Sequence, residues 1–512
     1  MSRLSKNIIY NFLGQGILLI LGFVAVKYIF RQLGEDALGI IYFTLTMNAV
    51  IVAVAEMGIS STTVREVSAH YSDEPEYIRN LIKTFSLFYW VAFIILSIII
   101  YFAAPLLVER WIHLKTVDVS TATHMIQVLG ISMLFSLPRA LYASLFRGLQ
   151  RMEINNIIDV GNSGLQQFGI ILILILGGGL MSVIYWLAAS FGIGVLCFLL
   201  TAQRFFSWRA FIPGYSAIVV KRNLKYSSNM MSISLLAMVH MQSDKIIVSK
   251  LMPVSSIGFY GFAYSVVSKA TLLTSAVAQA AFPSFSSLFK MGGRDSMMAQ
   301  YRKLQDLLCF GTVPLLGAIP FAVLPVFGFI FNSDVARMLL LPITFLTLGF
   351  YMNGTLNVPY VFSLAVGKPE ISAKSNFLAL FIVLPATGIL IYFFGLVGAG
   401  FSWVFYHIFA YAYAVPRICS KCLGISVWKW YEHIIKIFAL IILTYGLAWT
   451  INEFIGNHSI FSLSIAYIMG SIAFLIGAYF MIGDELNRTL IGFFQTLKRK
   501  FINPQITQIT AD

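Results

Sequence analysis

One lysine stands deep inside an apolar stretch of the chain, where a charge is costly. Lys269 lies about 12 residues from either end of a predicted span, residues 257–282, so its side chain cannot easily reach the headgroups. An ionisable side chain at the centre of a membrane helix costs about 2.5–3.5 kcal/mol and normally faces protein or water. We therefore expect Lys269 to contact a phosphate or a glycan in a lumen, or to form an ion pair with the preceding span. Gln279 shares its side of the predicted helix.

The preceding predicted span, residues 226–250, carries its own polar stripe. His240 and Asp244 are four residues apart and share one face of a helix. Asp244 is a candidate counter-ion for Lys269 and a candidate for coupling to H+ or Na+. His240 has the chemistry of a proton relay, and the alternative is a hydrogen bond that joins helices.

Two further spans show amide and carboxylate stripes. Asn11 and Gln15 share a face of the first predicted span, and Asp159, Asn162 and Gln166 share a face of the fifth. Side chains of this kind can line a cavity, and they can equally bind helices to each other in a membrane. Both alternatives remain open from the sequence.

Charged residues near span ends allow similar alternatives. Lys27 and Lys245 lie near the outer ends of their spans and either contact a substrate or extend to the headgroups. Arg65 and Glu66 follow the second span at its inner end. For these two we expect a gate, an ion pair between lobes or a substrate contact.

Patterns typical of catalysis or of cofactor binding are missing from the sequence. It contains neither a P-loop nor a glycine-rich dinucleotide pattern after a strand. Cys419 and Cys422 form a single CxxC without a second pair or suitably spaced histidines, which argues against zinc. We therefore expect a protein that is not an enzyme, with no catalytic residue, no resident metal and no cofactor.

The composition indicates that membrane-spanning helices position the polar residues named above. Hydrophobic residues make up 59% of the 512 and charged residues only 11%, whereas soluble proteins average about 25% charged. A bilayer core of about 30 Å needs about 20 apolar residues per helix. Division at charges, prolines and glycines predicts an all-α polytopic membrane protein of about fourteen spans. Their approximate limits are 7–30, 37–58, 80–102, 122–146, 155–177, 181–203, 226–250, 257–282, 303–331, 335–365, 371–394, 396–418, 430–451 and 460–482.

The net charge of +14 follows this topology. With the N-terminus inside, 26 Lys and Arg lie at inner span ends and 7 at outer ends, as the positive-inside rule requires. We expect a multi-pass protein of the cell (plasma or inner) membrane with both termini cytoplasmic, and no nucleic-acid partner. The N-terminus lacks a small-residue cleavage site, which predicts a first membrane helix rather than a signal peptide.

The two halves of the chain resemble each other. LGEDALGIIYF from Leu33 resembles LMPVSSIGFYGF from Leu251, which pairs Gly39 with Gly258, and GLQRMEINNIID resembles AVGKPEISAKSN at a similar offset. Six spans separate the copies, so the repeat is parallel, with the substrate path expected between lobes. The predicted parts are an N-lobe of spans 1–6 (1–205), a cytoplasmic linker (206–225), a C-lobe of spans 7–12 (226–420), spans 13–14 (421–484) and a cytoplasmic tail (485–512).

The chain resembles lipid-linked oligosaccharide flippases of the O-antigen type. The resemblance rests on the repeat segments above and on three further segments, EMGISSTTVREVS, SDKIIVSKLMPVSSIGFYGFA and GLVGAG. These belong to the multidrug/oligosaccharidyl-lipid/polysaccharide exporter superfamily. The resemblance implies a bilobed bundle with a polar, partly cationic central cavity. It implies alternating access that moves a polyprenyl-linked glycan from the cytoplasmic to the outer leaflet. Arg139, about 10 Å from the inner end of span 4, would receive the pyrophosphate.

The resemblance also defines the partners and the rival functions. The expected partners are the polyprenyl-linked glycan, membrane lipids, a coupling ion (H+ or Na+) and glycan polymerase or assembly proteins. The rivals are a drug/cation antiporter of the same superfamily and a membrane glycan polymerase or ligase. The basic charge at Lys269 argues against the antiporter, and the short outer loops argue against an enzyme.

Overall fold

The computed structural model describes residues 3–456 and 458–489, with side chains from Gly14 onward except that of Ile233. These residues form α-helices and no strand. The helices of the first half are α1 (Arg3–Tyr28), α2 (Glu35–Ala55), α3 (Ile59–His70), α4 (Pro75–Arg110), α5 (Val119–Met133), α6 (Ser136–Gly148), α7 (Met152–Ile175), α8 (Leu180–Ala202), α9 (Ala217–Leu251) and α10 (Val254–Ser268). The helices that follow are α11 (Thr271–Lys290), α12 (Arg294–Gly311), α13 (Val313–Ala322), α14 (Gly328–Ile330), α15 (Ser333–Ala365), α16 (Glu370–Ile418), α17 (Val427–Ile441), α18 (Leu447–Ile455) and α19 (Ile460–Met481).

The all-helical, multi-pass prediction is confirmed. In the part of the chain that the structure describes, 12 helical stretches are long and apolar enough to cross a membrane. One of them, Glu370–Leu423, contains a non-helical break at Gly395, between the predicted spans 11 and 12. Helix α9 has 35 residues but is not among the twelve. The count of fourteen therefore stays a prediction.

Local side chains set several helix starts. Asp118, Asn332 and Ser459 each accept a hydrogen bond from the backbone N–H three residues later, at 2.8, 2.8 and 3.2 Å. Such caps satisfy donors that have no partner inside the helix. Outside the helices, Gly34 and Gly424 adopt φ of 88° and 65°, a region that side chains disfavour.

Two compact units divide the chain. Among the described residues, unit 1 contains 3–262, 329–331 and 387–399, and unit 2 contains 263–328, 332–386, 400–456 and 458–489. Unit 1 therefore includes α9 and the start of α10 as well as α1 to α8. The predicted lobe boundaries at 205 and 226 remain predictions.

The core of unit 1 includes the predicted linker. Phe206 and Phe211 belong to the same buried cluster as Phe85, Tyr142 and Phe198. The Tyr71 hydroxyl donates to the Phe205 carbonyl at 3.3 Å, and the Gly214 N–H donates to the Lys83 carbonyl at 3.2 Å. The linker is thus folded onto unit 1, because its aromatic side chains gain more by burial than by exposure to water.

In unit 2 the last helices are fastened to the start of the predicted ninth span. Phe310 of α12 packs against Phe474 of α19, and the Tyr467 hydroxyl donates to the Pro314 carbonyl at 3.0 Å. Asp306 of α12 accepts a 2.9 Å hydrogen bond from the Gly483 N–H. Helix α19 therefore packs as an integral part of this unit.

The internal repeat has a backbone signature. After α6, the N–H of Arg151 donates to Phe146 O and that of Gln150 to Arg147 O, at 2.8 and 3.1 Å. After α15, the N–H of Lys368 donates to Ser363 O and that of Gly367 to Leu364 O, at 2.9 and 3.0 Å. Each bond corresponds to its counterpart at an offset of 217 residues. Both helix ends are the C-terminal motif closed by a left-handed residue.

Candidate functional site

The predicted gate residues Arg65 and Glu66 belong to a polar network in unit 1. The Glu66 side chain is only 5% exposed and accepts hydrogen bonds from Arg65 Nε and from the Tyr77 hydroxyl, both at 2.8 Å. Arg65 Nη2 also donates to Asn223 Oδ1 at 3.0 Å, and Asn223 Nδ2 donates to the Tyr77 hydroxyl at 2.8 Å. A buried carboxylate needs such donors, since an unpaired one would be costly.

Arg222 extends the network towards solvent. Its Nε lies 3.5 Å from Glu66 Oε2, and its Nη1 donates to Glu74 Oε2 at 2.8 Å. The His70 Nε2 lies 2.8 Å from Arg222 Nη2, and the His70 Nδ1 lies 2.9 Å from Glu74 Oε1. Arginine can only donate, so in this arrangement His70 Nε2 accepts from Arg222 and His70 Nδ1 faces the Glu74 carboxylate. The seven residues Arg65, Glu66, His70, Glu74, Tyr77, Arg222 and Asn223 are called the Glu66 network below.

The electrostatics of the Glu66 network match its geometry. The hydrogen bond from Arg222 lowers the pKa of Glu74, and the same bond raises the pKa of Arg222. Two guanidinium and two carboxylate groups balance, so the network is neutral when His70 is neutral. The half-exposed Arg222–Glu74 pair contributes about 0–1 kcal/mol, whereas the contacts of the buried Glu66 carboxylate are costly to break.

The Glu66 network joins separate helices of unit 1. Arg65, Glu66 and His70 belong to α3, Tyr77 belongs to α4, and Arg222 and Asn223 belong to α9. Next to it, Thr62 Oγ1 lies 2.7 Å from Ser227 Oγ, and the Arg65 guanidinium stacks on the Tyr226 ring at 3.9 Å. Polar contacts thus hold the beginning of α9 against α3 and α4.

The sequence alone did not point to Arg222, Asn223 and Tyr77. Asn223 is 158 residues from its partner Arg65, and no periodicity in a single chain relates such distant positions. The available signal in the sequence is composition, since Arg222 lies in the predicted linker next to two other basic residues, Lys221 and Lys225.

Asp244 and Lys245 form a buried ion pair. Their side chains are 2% and 6% exposed, and Lys245 Nζ lies 3.2 Å from Asp244 Oδ1. Lys245 Nζ also donates to the Met241 carbonyl at 2.5 Å, and the Tyr260 hydroxyl donates to Asp244 Oδ2 at 2.7 Å. The Lys245 ammonium is therefore held inside unit 1 and does not extend outward. His240 lies one turn before Asp244 on α9 and is half-buried.

Arg139, the expected contact for the pyrophosphate, and Asp159, a candidate for lining a cavity or binding helices together, form a salt bridge between α6 and α7. Their side chains remain 38% and 43% exposed. The guanidinium also lies 5.4 Å from the Phe198 ring. The pair is therefore bonded and still accessible to a ligand.

The other amides of the fifth predicted span face a neighbouring helix. Gln166 Nε2 donates to Ser190 Oγ of α8 at 3.0 Å. Asn162 packs against Gly194, where a Cβ would lie 2.9 Å from the amide nitrogen. Both contacts agree with the alternative of helix-to-helix bonding.

Of the polar side chains predicted to line the first span, the structure describes only that of Gln15. The side chain of Asn11 lies outside the described residues, and Gln15 is half-buried. Lys27 places its ammonium 3.0 Å from the centroid of the Phe329 ring, a cation–π contact within unit 1. This contact is consistent with both alternatives for Lys27, a substrate contact and an extension towards the headgroups.

The expectation of one continuous helix through Lys269 was wrong. Lys269 and Ala270 form a turn between α10 and α11, and Gln279 is exposed on α11. The N–H groups of Lys269 and Ala270 donate to the carbonyls three residues before, and Thr271 Oγ1 donates to Ser268 O at 2.6 Å. Hydroxyl groups that bond nearby carbonyls compete with the helical ladder. The Lys269 side chain is half-buried, with no hydrogen bond to the residues described.

The described residues contain no group of three or more His, Cys, Asp or Glu side chains that could hold a metal ion. Cys419 and Cys422 lie in a π-helical turn, Cys419–Leu423, at the end of α16 and are buried. Nearby, Arg294 Nη2 donates to the Leu423 carbonyl at 2.8 Å. This segment is a packed helix end.

Comparison with known proteins identifies relatives over most of the chain. A family model described as "Polysaccharide biosynthesis protein" matches residues 4–289. A Shigella flexneri protein described as an O-antigen transporter is 21% identical over 411 residues, which cover 78% of this chain and 93% of that protein.

Solved structures share the fold. The lipid II flippase MurJ in an inward closed conformation matches with a TM-score of 0.68 at 16% identity, covering 94% of this chain and all of that chain. An inward-facing multidrug resistance MATE family transporter of the MOP superfamily matches with a TM-score of 0.66 at 13% identity, covering 79% and 95%. The fold is therefore that of MurJ and MATE transporters.

Proposed function

Because the chain belongs to the polysaccharide biosynthesis protein family, we propose that it is a flippase without enzymatic activity. It moves a polyprenyl-linked oligosaccharide from the cytoplasmic to the outer leaflet by alternating access. The match to the family over residues 4–289 carries this proposal. The similarity to an O-antigen transporter, and a fold shared with a lipid II flippase, support a lipid-linked glycan as the cargo.

The proposed orientation places both termini in the cytoplasm of a plasma or inner membrane. It rests on the excess of Lys and Arg at one set of span ends, 26 against 7. In this orientation the Glu66 network lies at the cytoplasmic end of α9, and residues 111–117 lie at the outer end.

The Glu66 network is proposed as a cytoplasmic gate. Its bonds join α9, the first helix of the predicted C-lobe, to α3 and α4 of the predicted N-lobe. The half-exposed Arg222–Glu74 pair can open and close with a small change in free energy. The buried Glu66 carboxylate must keep other donors when the gate opens. Glu66 forms its buried part, and Arg65, Arg222 and Glu74 form its half-exposed rim.

The cargo and the coupling ion are assigned to other groups. Lys269, free of the helical ladder at a turn, is the proposed contact for the phosphate, with Arg139, Gln279, Gln15 and Asn11 as further polar contacts. Asp244 and His240 are proposed for coupling to H+ or Na+. In that case the ion must compete with Lys245 for the Asp244 carboxylate, because Lys245 Nζ lies 3.2 Å from Asp244 Oδ1.

The test is transport by the purified protein in liposomes. A labelled polyprenyl-pyrophosphate sugar is added, and its arrival in the opposite leaflet is followed with and without a proton or sodium gradient. We expect movement, and a loss of at least tenfold in Lys269→Gln. Lys290→Gln, an exposed lysine at the end of α11, is the matched control and should transport normally.

Three outcomes contradict parts of this proposal. Cation-dependent export of a dye without movement of the lipid-linked sugar would assign a drug/cation antiporter. Formation of a new glycosidic bond by the protein alone would assign a polymerase or ligase. Transport unchanged in Lys269→Gln would remove that residue from the site and leave the flippase assignment intact.

A further inference from the structure

A short connection between α4 and α5 is bonded to α2 through one buried carboxylate. Asp36, in the first turn of α2, is fully buried. Its Oδ2 accepts hydrogen bonds from the N–H groups of Lys115 and Thr116, both at 2.6 Å, and from that of Val117 at 3.3 Å. A charged acceptor shared by three backbone donors is a strong anchor. This carboxylate sets the conformation of the connection.

The same connection is bonded to the end of α9 and the start of α10. Trp111 Nε1 donates to Ser249 Oγ at 3.0 Å, and Lys250 Nζ donates to the Arg110 carbonyl at 2.6 Å. The Val254 N–H donates to the His113 carbonyl at 3.0 Å. Residues 110–117, called the strap below, therefore bridge α2 on one side and the α9–α10 corner on the other.

Beneath the strap the two helices are in backbone contact. A Cβ built on Gly39 of α2 would lie 2.2 Å from the Val254 carbonyl oxygen and 2.9 Å from the Ser255 nitrogen. Ser255 is 3% exposed. Two features therefore hold α2 against α10 beneath the strap. One is the close backbone approach at Gly39, and the other is the strap, which is bonded to both sides.

We propose that the strap is the outer gate of the transporter and that Asp36 is its positioning residue. This rests on the proposed function, because release of the strap is the event that would open the outer end. Opening parts the α9–α10 corner from α2 and frees the three N–H groups to water. Asp36 acts through the strap and does not touch the cargo.

The adjacent carboxylate offers a matched comparison. Glu35 also bonds the strap, through a 3.2 Å ion pair with Lys115 Nζ, but both side chains are partly exposed. An exposed pair contributes little, whereas the buried Asp36 carboxylate holds three donors at once. If the strap works as proposed, loss of charge at position 36 opens it and loss of charge at position 35 does not.

The experiment measures access to Ser255 from outside. Ser255→Cys is introduced into a protein in which Cys197, the exposed native cysteine, is Ala. The full chain in proteoliposomes or cells is treated with a membrane-impermeant thiol reagent. We expect Asp36→Asn to raise the labelling rate at position 255 at least tenfold, and Glu35→Gln to leave it within twofold.

Two further readouts keep the result decisive. Cys309 is buried in unit 2, and its labelling would reveal general unfolding rather than local opening. Trp111→Phe removes the bond to Ser249 at the opposite side of the strap and should also raise the rate at position 255. An unchanged rate in both Asp36→Asn and Trp111→Phe would overturn the proposal. If Asp36→Asn unfolds, Trp111→Phe alone decides. Because labelling needs no cargo, failure here is separate from failure of the flippase assignment.

Discussion

Gly39 of α2 and Gly258 of α10, which the sequence pairs as equivalents in the internal repeat, lie against each other in unit 1. A Cβ built on Gly258 would lie 2.8 Å from the Gly39 nitrogen and 3.0 Å from its Cα. Two positions that the internal repeat pairs are therefore in close backbone contact in unit 1, next to the strap.

Gly39→Ala should destabilise the protein by about 1–3 kcal/mol, the usual cost of overpacking. The added methyl would meet the Val254 carbonyl oxygen at 2.2 Å, and backbone cannot rotate away as a side chain can. Gly16→Ala in α1 is the control, since nothing lies within 4 Å of its Cβ. Alanine there should be neutral or slightly stabilising, by up to about 1 kcal/mol. Thermal unfolding in detergent measures both, and equal melting temperatures would contradict the contact.

Gln150→Gly should stabilise the protein by about 1 kcal/mol. Gln150 has a φ of 57° and its repeat equivalent Gly367 has a φ of 77°, so the same left-handed position is occupied by glycine in only one copy. This conformation costs a side-chain-bearing residue roughly 1–2 kcal/mol. The reciprocal change, Gly367→Gln, should lower the melting temperature. A loss of stability in Gln150→Gly would mean that the Gln150 side chain contributes more than the strain removes.

Lys245→Met should be severely destabilising, by about 3–5 kcal/mol, because it leaves the buried Asp244 carboxylate without its counter-charge. The double variant Asp244→Asn/Lys245→Met should recover most of the loss. Lys436→Met is the control, because Lys436 and Glu432 form a pair that is 61% exposed on both sides. That change should cost no more than about 0.5 kcal/mol. A double variant as unstable as the single one would exclude the charge imbalance as the cause.

The stability gained from Glu74 should depend on pH in one direction. The bond from Arg222 lowers the pKa of Glu74 below its ordinary value. The stabilisation is therefore complete above the unfolded-state pKa, about 4.3, and is lost as pH falls through the folded-state pKa. The gap in melting temperature between wild type and Glu74→Gln should be constant well above the unfolded-state pKa and shrink as the pH falls below it. Asp73→Asn, which removes a carboxylate from an exposed neighbour, is the control substitution.

The sequence predicted those features that depend on neighbouring residues. Hydropathy located the helical segments, and the break between the predicted spans 11 and 12 lies at Gly395. The turn at Lys269 was missed because Ser268 and Thr271 bond carbonyls of their own turn, which hydropathy does not register. The repeat was visible because it preserves a local motif at 148–151 and 365–368.

Contacts between distant segments lay beyond the sequence. Arg139 and Asp159 were assigned separately, and only the fold shows that they bond to each other. Asp36 appeared inside a family-like segment with no role, since its partners are three backbone N–H groups about 80 residues away. Backbone donors leave no trace in residue type, so an anchor of this kind can be recognised only in three dimensions.

Helix α9 contains neither glycine nor proline from Ala217 to Leu251. At 1.5 Å per residue it is a rod of about 50 Å, longer than the hydrocarbon core of a bilayer at about 30 Å. Arg222 is tied near one end and Lys250 near the other. In the proposed orientation, this uninterrupted helix links the Glu66 network at its cytoplasmic end to the strap at its outer end. We therefore expect a displacement at one end of α9 to be transmitted to the other.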